Sequence, residues 1–167
     1  FCTNADGVRA ERALEWKLVD AIAKPQAFDA AVRERAAKLA LRSERSASAQ
    51  GIKLTPLART IDDAGLRYSA LDVAVDRTAR TATFVLRGPD GEQPRDLDTA
   101  LQLGDQWWPL RLARALDDAI LLLRTNELEI GTWLFKSQGD LAAVLAADAL
   151  LASNDGHWFG KEVIALW

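Results

Sequence analysis

Apolar positions recur along the chain with two different periods, and the changes of period divide it into elements. From Val8 to Trp16, Ala10, Ala13 and Leu14 fall at helical spacing, and Leu18 and Val19 form a short extended exit before Lys24 and Pro25. Beyond Pro25, Phe28, Val32, Ala36, Leu39 and Ala40 share one helical face among Arg33, Glu34, Arg35 and Lys38, which predicts an amphipathic helix. From Arg42 to Gln50 no large apolar residue occurs, and the stretch reads as a linker. Gly51 to Ser69 carries Ile52, Leu54, Leu57, Ile61 and Leu66 without a sustained period, with Pro56 and Gly65 as breakers, and reads as a loop packed on a surface.

At Leu71 strict alternation begins. Leu71, Val73 and Val75 are set against Asp72, Ala74 and Asp76, and after the polar tetrapeptide Arg77 to Arg80 the alternation returns as Ala82, Phe84 and Leu86, ending at Gly88 and Pro89. This predicts a β-hairpin. A polar loop is expected from Asp90 to Asp98. Pro109 suits a first helical turn, and Leu112, Leu116, Ile120 and Leu123 form the apolar stripe of a long helix. Ile130 to Phe135 reads as a strand buried on both faces, Ser137 to Asp140 as a polar break, Leu141 to Leu151 as a buried helix, and Trp158 to Trp167 as another. Hairpin, helix, strand and helix in this order make the fold class α/β. A strand, crossover helix and strand form a right-handed parallel unit that needs further strands to complete its sheet.

The chain of 167 residues starts at Phe1, contains no Met and stops at Trp167 within an amphipathic run, so it is expected to be an internal stretch of a longer protein. With 49% hydrophobic and 27% charged residues it can build a core. A net charge of −3 excludes a broad positive field, so nucleic acid is not an expected partner. Cys2 is the single cysteine and cannot pair within the chain, which suits a reducing, cytoplasmic compartment. No apolar run approaches the roughly 20 residues that span a bilayer, and no membrane partner is expected.

Three stretches resemble one family. Arg12 to Asp20, reading RALEWKLVD, is similar to the late helical segment of crotonase-superfamily enzymes, with Lys17 where that pattern has Gly. The continuation Gly51 to Leu57, the hairpin Val73 to Arg87, and Leu122 to Phe135 with its text LLRTNELEIGTWLF resemble members built from two crotonase-like halves. The resemblance implies that residues 1–50 are the helical tail of a first half, 51–70 a linker, and 71–167 the opening of a second, so that the pieces of the fold are incomplete. It implies an acyl-CoA substrate, a homo-oligomer, and opening of the ring of 2,3-epoxybenzoyl-CoA in aerobic benzoate breakdown. A general enoyl-CoA hydratase or isomerase and a non-catalytic interaction module are the alternatives. No metal and no redox cofactor are implied. Such enzymes hold a thioester enolate with two backbone N–H groups near a Glu that works as acid or base. No Gly-rich turn followed by Glu occurs here, so those motifs are expected outside residues 1–167, and no catalytic residue is assigned within them.

Ser137 to Asp140 follows the central strand at its carboxyl end, where open α/β sheets bind ligands, which makes Ser137, Gln138 and Gly139 the candidate substrate-binding residues. A plain turn with Asp140 capping the next helix is the alternative. Ala146, Ala147 and Asp148 echo the family's small-residue oxyanion loop, against a reading as buried helix. His157, the only histidine, lies beside Asp155 and Trp158 as a general base or, more simply, a loop residue before a helix. Trp107, Trp108 and Pro109 suit stacking on a flat ligand or anchoring a helix start. Asp117, Asp118, Glu127 and Glu129 form a carboxylate set that reads chiefly as solvated charge, Glu162 is a candidate acid or base on the last helix, and Cys2 is read as a structural thiol.

Overall fold

The computed structural model describes residues 5, 7–43 and 51–167. Cys2 and residues 44–50 of the expected linker lie outside them. The chain divides into two compact units, Phe1–Gln50 and Gly51–Trp167.

The first unit holds helix α1 (Ala10–Glu15), a short turn of tighter helix (Pro25–Ala27) and helix α2 (Phe28–Ala40). The end of α1 shows why its motif favours glycine. Lys17 has φ +56°, its N–H donates to the Leu14 carbonyl at 3.0 Å, and the Leu18 N–H reaches back to the Ala13 carbonyl at 2.9 Å. This paired closure satisfies two orphan carbonyls but demands a left-handed residue, a conformation a Cβ opposes. The stripe predicted for α2 forms a helix, yet Phe28, Val32 and Leu39 are exposed on it.

The second unit is built on a five-stranded sheet with the strands in chain order: β1 (Arg59–Asp62), β2 (Gly65–Tyr68), β3 (Leu71–Asp76), β4 (Thr81–Arg87) and β5 (Thr132–Gln138). The first four pair antiparallel, whereas β5 lies parallel to β4 with Phe84 beside Phe135 and Leu86 beside Ser137. The predicted hairpin is β3 and β4, with Asp76 opposite Thr81 across the tetrapeptide Arg77 to Arg80. Between β4 and β5 the chain forms α3 (Leu97–Leu103) and α4 (Trp108–Asn126), and after β5 come α5 (Leu141–Ser153) and α6 (Trp158–Leu166). The parallel strand, helix, strand unit is therefore present.

Two cores meet on α4. One of its faces packs Leu112, Ala115, Ala119 and Leu123 against Leu66, Tyr68, Leu71, Val73, Ala82 and Phe84 of the sheet. Its first turn contributes Leu110, with Trp107 just ahead of it, to a second cluster with Ala100 of α3, Leu150 and Leu151 of α5, and Phe159 and Val163 of α6. Each fully buried large side chain contributes roughly 1.5–3 kcal/mol, so these clusters fix the helix on the sheet. Charge pairs fasten the same helix: Asp118 accepts from the Tyr68 hydroxyl at 2.7 Å and pairs with Arg59, while Glu127 takes two bonds from Arg77 at 3.1 and 2.5 Å.

Five expectations need correction. Gly51 to Ser69, read as a surface loop, contains β1 and β2, which pair as a hairpin closed by the turn Asp63 and Ala64. Gly65, taken as a breaker, is a strand residue with φ +139°, and a Cβ there would stand 1.8 Å from the Val73 carbonyl oxygen of the neighbouring strand. The polar loop read to Asp98 gives way to α3 at Leu97, where the Asp96 side chain caps the Thr99 N–H at 2.8 Å. The strand read as buried on both faces is the edge strand β5, and its consecutive residues Leu134 and Phe135, which point to opposite faces, are 44% and 55% exposed, so neither face is fully covered there. Nor is α5 buried along its length: Ala147, Leu150 and Leu151 are, but Leu141 and Leu145 are exposed.

Candidate functional site

The carboxyl ends of the parallel strands β4 and β5 come closer than side chains would allow. The Gly88 N–H donates to the Gln138 carbonyl at 2.8 Å, and Gly139 has φ +136°. A Cβ on Gly139 would lie 2.9 Å from both the Cα and the N of Gly88, and one on Gly88 would lie 3.3 Å from the Gly139 Cα. Gly139 is thus required for the strand ends to touch, and a side chain on Gly88 would press them apart by a few tenths of an ångström.

Beyond this pinch opens a cavity of about 700 Å³. Its head is formed by Arg87, Gly88, Ser137 and Gln138, with Gly139 and Asp140 beyond them. Ser137 and Gln138 end β5 rather than opening the polar break read from the sequence. The walls are formed by Leu86, Trp108, Pro109 and Leu112 on one side and by Leu141, Val144, Leu145 and Leu151 of α5 on the other. Ile164 and Trp167 close it from α6 and its end. The size lies within the roughly 300–1,000 Å³ of small-molecule sites, and the lining is mainly apolar with a few polar groups at one end. That end is also the N-terminus of α5, whose unpaired N–H groups and dipole favour negative charge. Asp140 satisfies part of that demand itself, accepting from the Ala142 N–H at 2.8 Å as the cap.

Ser137, Gln138 and Gly139 thus share one cavity wall, and Asp140 caps the helix as well. Ala146, Ala147 and Asp148 do not form a loop: they lie in the middle of α5, where helical bonding takes up the backbone donors, though Asp148 lines the cavity with an exposed side chain. His157 precedes α6 and accepts the Phe159 N–H on Nδ1 at 3.2 Å, so it is a helix cap. Trp107 and Trp108 part company. Trp107 is fully buried against Phe159, with ring centres 5.6 Å apart, while Trp108 faces the cavity and donates its Nε1–H to the Arg87 carbonyl at 2.8 Å. Asp118 and Glu127 hold α4 to the strands, Glu129 stands 3.8 Å from Arg80, and Asp117 and Glu162 are exposed.

Elsewhere in this unit one carboxylate is buried. Asp105 accepts from the Thr55 N–H at 2.5 Å, the Thr55 hydroxyl at 2.6 Å, Gln106 at 3.0 Å and Arg114 at 3.0 Å, and Arg114 also donates to the Thr55 carbonyl at 2.7 Å. Burial pushes its carboxyl upward, but the Thr55 bonds, aided by Gln106 and Arg114, outweigh burial and hold it below the ordinary range. Burial, reinforced by the bond to Asp118, raises the Tyr68 phenol. Neither group lines the cavity. Among the described residues no three His, Cys, Asp or Glu side chains gather where a metal ion would sit, and no helix is long and apolar enough to cross a membrane.

Gly88 and Val144 join the predicted residues in the cavity lining, where Trp108 and Pro109, read as a stack for a flat ligand or a helix anchor, also stand. Gly88 was legible only as a strand end, since its pairing with Gly139 spans fifty residues of sequence and depends on the parallel register.

No family model matches the chain. It is 43% identical over 166 residues to a benzoyl-CoA-dihydrodiol lyase of Aromatoleum evansii. The similarity takes in 99% of this chain and 30% of that protein, so the chain spans under a third of its relative's length.

Proposed function

We propose that these residues are the central part of a ring-opening enzyme of the crotonase superfamily acting on 2,3-epoxybenzoyl-CoA in aerobic benzoate breakdown. The observation that carries the reading is the 43% identity to a benzoyl-CoA-dihydrodiol lyase along 99% of the chain. The cavity supports it. An apolar pocket headed by a helix N-terminus suits a thioester whose acyl group is apolar and whose carbonyl oxygen gathers negative charge during reaction.

In this reading Ser137, Gln138 and Gly139 border the acyl-CoA, and residues 1–50 and 71–167 belong to a first and a second crotonase-like half. The exposed edge of β5 supports a sheet that continues into further polypeptide. Asp140 is engaged as a cap and His157 likewise, so neither is assigned as the acid or base, and in this reading those groups belong to the further polypeptide. The turn of this chain supplies the seat.

The test is turnover by the complete enzyme that carries this sequence. With 2,3-epoxybenzoyl-CoA, formate is expected to appear in step with loss of the thioester. Consumption of a straight-chain enoyl-CoA with the epoxide left untouched would replace the reading with a general hydratase.

A further inference from the structure

Two indoles line the cavity, Trp108 and Trp167, and that of Trp108 is bonded to the backbone of the strand end. Trp108 is half-buried at the start of α4, and its Nε1–H donates to the Arg87 carbonyl at 2.8 Å. That acceptor cannot swing away. The Arg87 N–H is bonded to the Ala70 carbonyl at 2.9 Å, and the next N–H, of Gly88, is bonded to Gln138 at 2.8 Å. Its side chain is tied to Asp72 as well. The indole is therefore held by the same strand end that forms the head of the cavity and by its packing against the core beneath α4, so its place relative to Ser137 to Gly139 follows the β4–β5 register.

From this geometry we infer that Trp108 is the specificity-determining residue for the ring: it offers a rigid face against which a flat acyl ring stacks while the thioester sits at the Ser137 to Asp140 turn. The inference rests on the acyl-CoA reading above. A planar ring gains from stacking on an indole beyond the area it buries, whereas a puckered ring of the same size gains only the burial. A preoriented indole needs no ordering on binding, so the full difference between the two rings is expressed.

The experiment compares benzoyl-CoA with cyclohexanecarboxyl-CoA, two unreactive thioesters of equal ring size, by calorimetry on the complete enzyme. The unsubstituted protein is expected to bind the benzoyl ester roughly three- to tenfold more tightly. Trp108→Leu is expected to remove that preference with little effect on the cyclohexyl ester, and Trp108→Phe to restore most of it. A preference that persists in Trp108→Leu overturns the inference, as does equal binding of the two esters by the unsubstituted protein followed by equal losses in the variant, the pattern of an indole stacked on adenine. Failure of both thioesters to bind the unsubstituted protein overturns the acyl-CoA reading itself. The melting temperature of each variant separates misfolding from lost recognition, and the Phe variant carries the test if the Leu variant does not fold.

Discussion

Lys17 shows how one residue can be read from sequence before its reason is visible. It departs from the glycine of the motif it resembles, and the structure shows the cost: a residue with a Cβ at φ +56° in the closing turn of α1. A left-handed non-glycine residue costs about 1–2 kcal/mol, partly offset by the freedom glycine loses on folding. Lys17→Gly is accordingly expected to stabilise the first unit by roughly 0.5–1 kcal/mol. Trp16 is the sole tryptophan of residues 1–50, so its fluorescence in the unit expressed alone reports the urea midpoint directly. A midpoint that falls or stays still would show that the turn is not under strain. The side chains named as chemistry-bearing divide by the same kind of local evidence. His157 and Asp140 precede helices in the sequence, and both prove to be caps; Trp107 and Trp108 are adjacent and alike in the sequence, and only the three-dimensional position of α4 separates anchor from cavity wall.

At the scale of elements, the buried carboxylate ties the segment ahead of β1 to α4 through Thr55 and Arg114. Its folded carboxyl titrates below the ordinary value of about 3.9. A group of that kind adds stability that is complete above its unfolded value and is lost as pH falls through the folded one, so the contribution begins to fall below about pH 4 and is gone once the folded value is passed. Asp105→Asn is expected to lower stability near neutrality by about 2–4 kcal/mol, since it leaves Arg114 without its counter-charge, and to shrink the acid limb of a plot of urea midpoint against pH. An acid limb of unchanged depth would assign that limb to other carboxylates. Elements with a sustained period were legible: β3, β4, α4 and the parallel placement of β5 follow from alternation, the i to i+4 stripe and the crossover. The missed elements lacked such a signal. β1 and β2 have four residues each, and only Leu66 and Tyr68 mark an inward face. For α3 a signal existed in Asp96 followed by Thr99, a capping pattern hidden inside a polar run. The burial of β5 was misjudged because an apolar run records what a strand packs against on its faces, and the described residues leave Leu134 and Phe135 partly uncovered.

For the second unit as a whole, Leu141, Leu145, Ile164 and Trp167 are all exposed around one cavity mouth. Apolar surface gathered in this way is sticky in water. Expressed as these 167 residues, the protein is expected to sediment as concentration-dependent oligomers, and Leu145→Lys with Ile164→Lys to shift it toward monomer. Sedimentation velocity that is the same for both would show that the mouth is not the adhesive surface. The glycine contact between the strand ends has a different bearing, on how such a protein can change over time. At the pinch a substrate would meet main chain alone, so recognition there cannot be retuned by exchanging one residue type for another. The wall that α5 contributes, with Val144 and Leu145, is outside the buried core and can vary. New substrates can thus be reached by remodelling the sides of the pocket while its head stays constant, a division between an inheritable seat and an adaptable envelope.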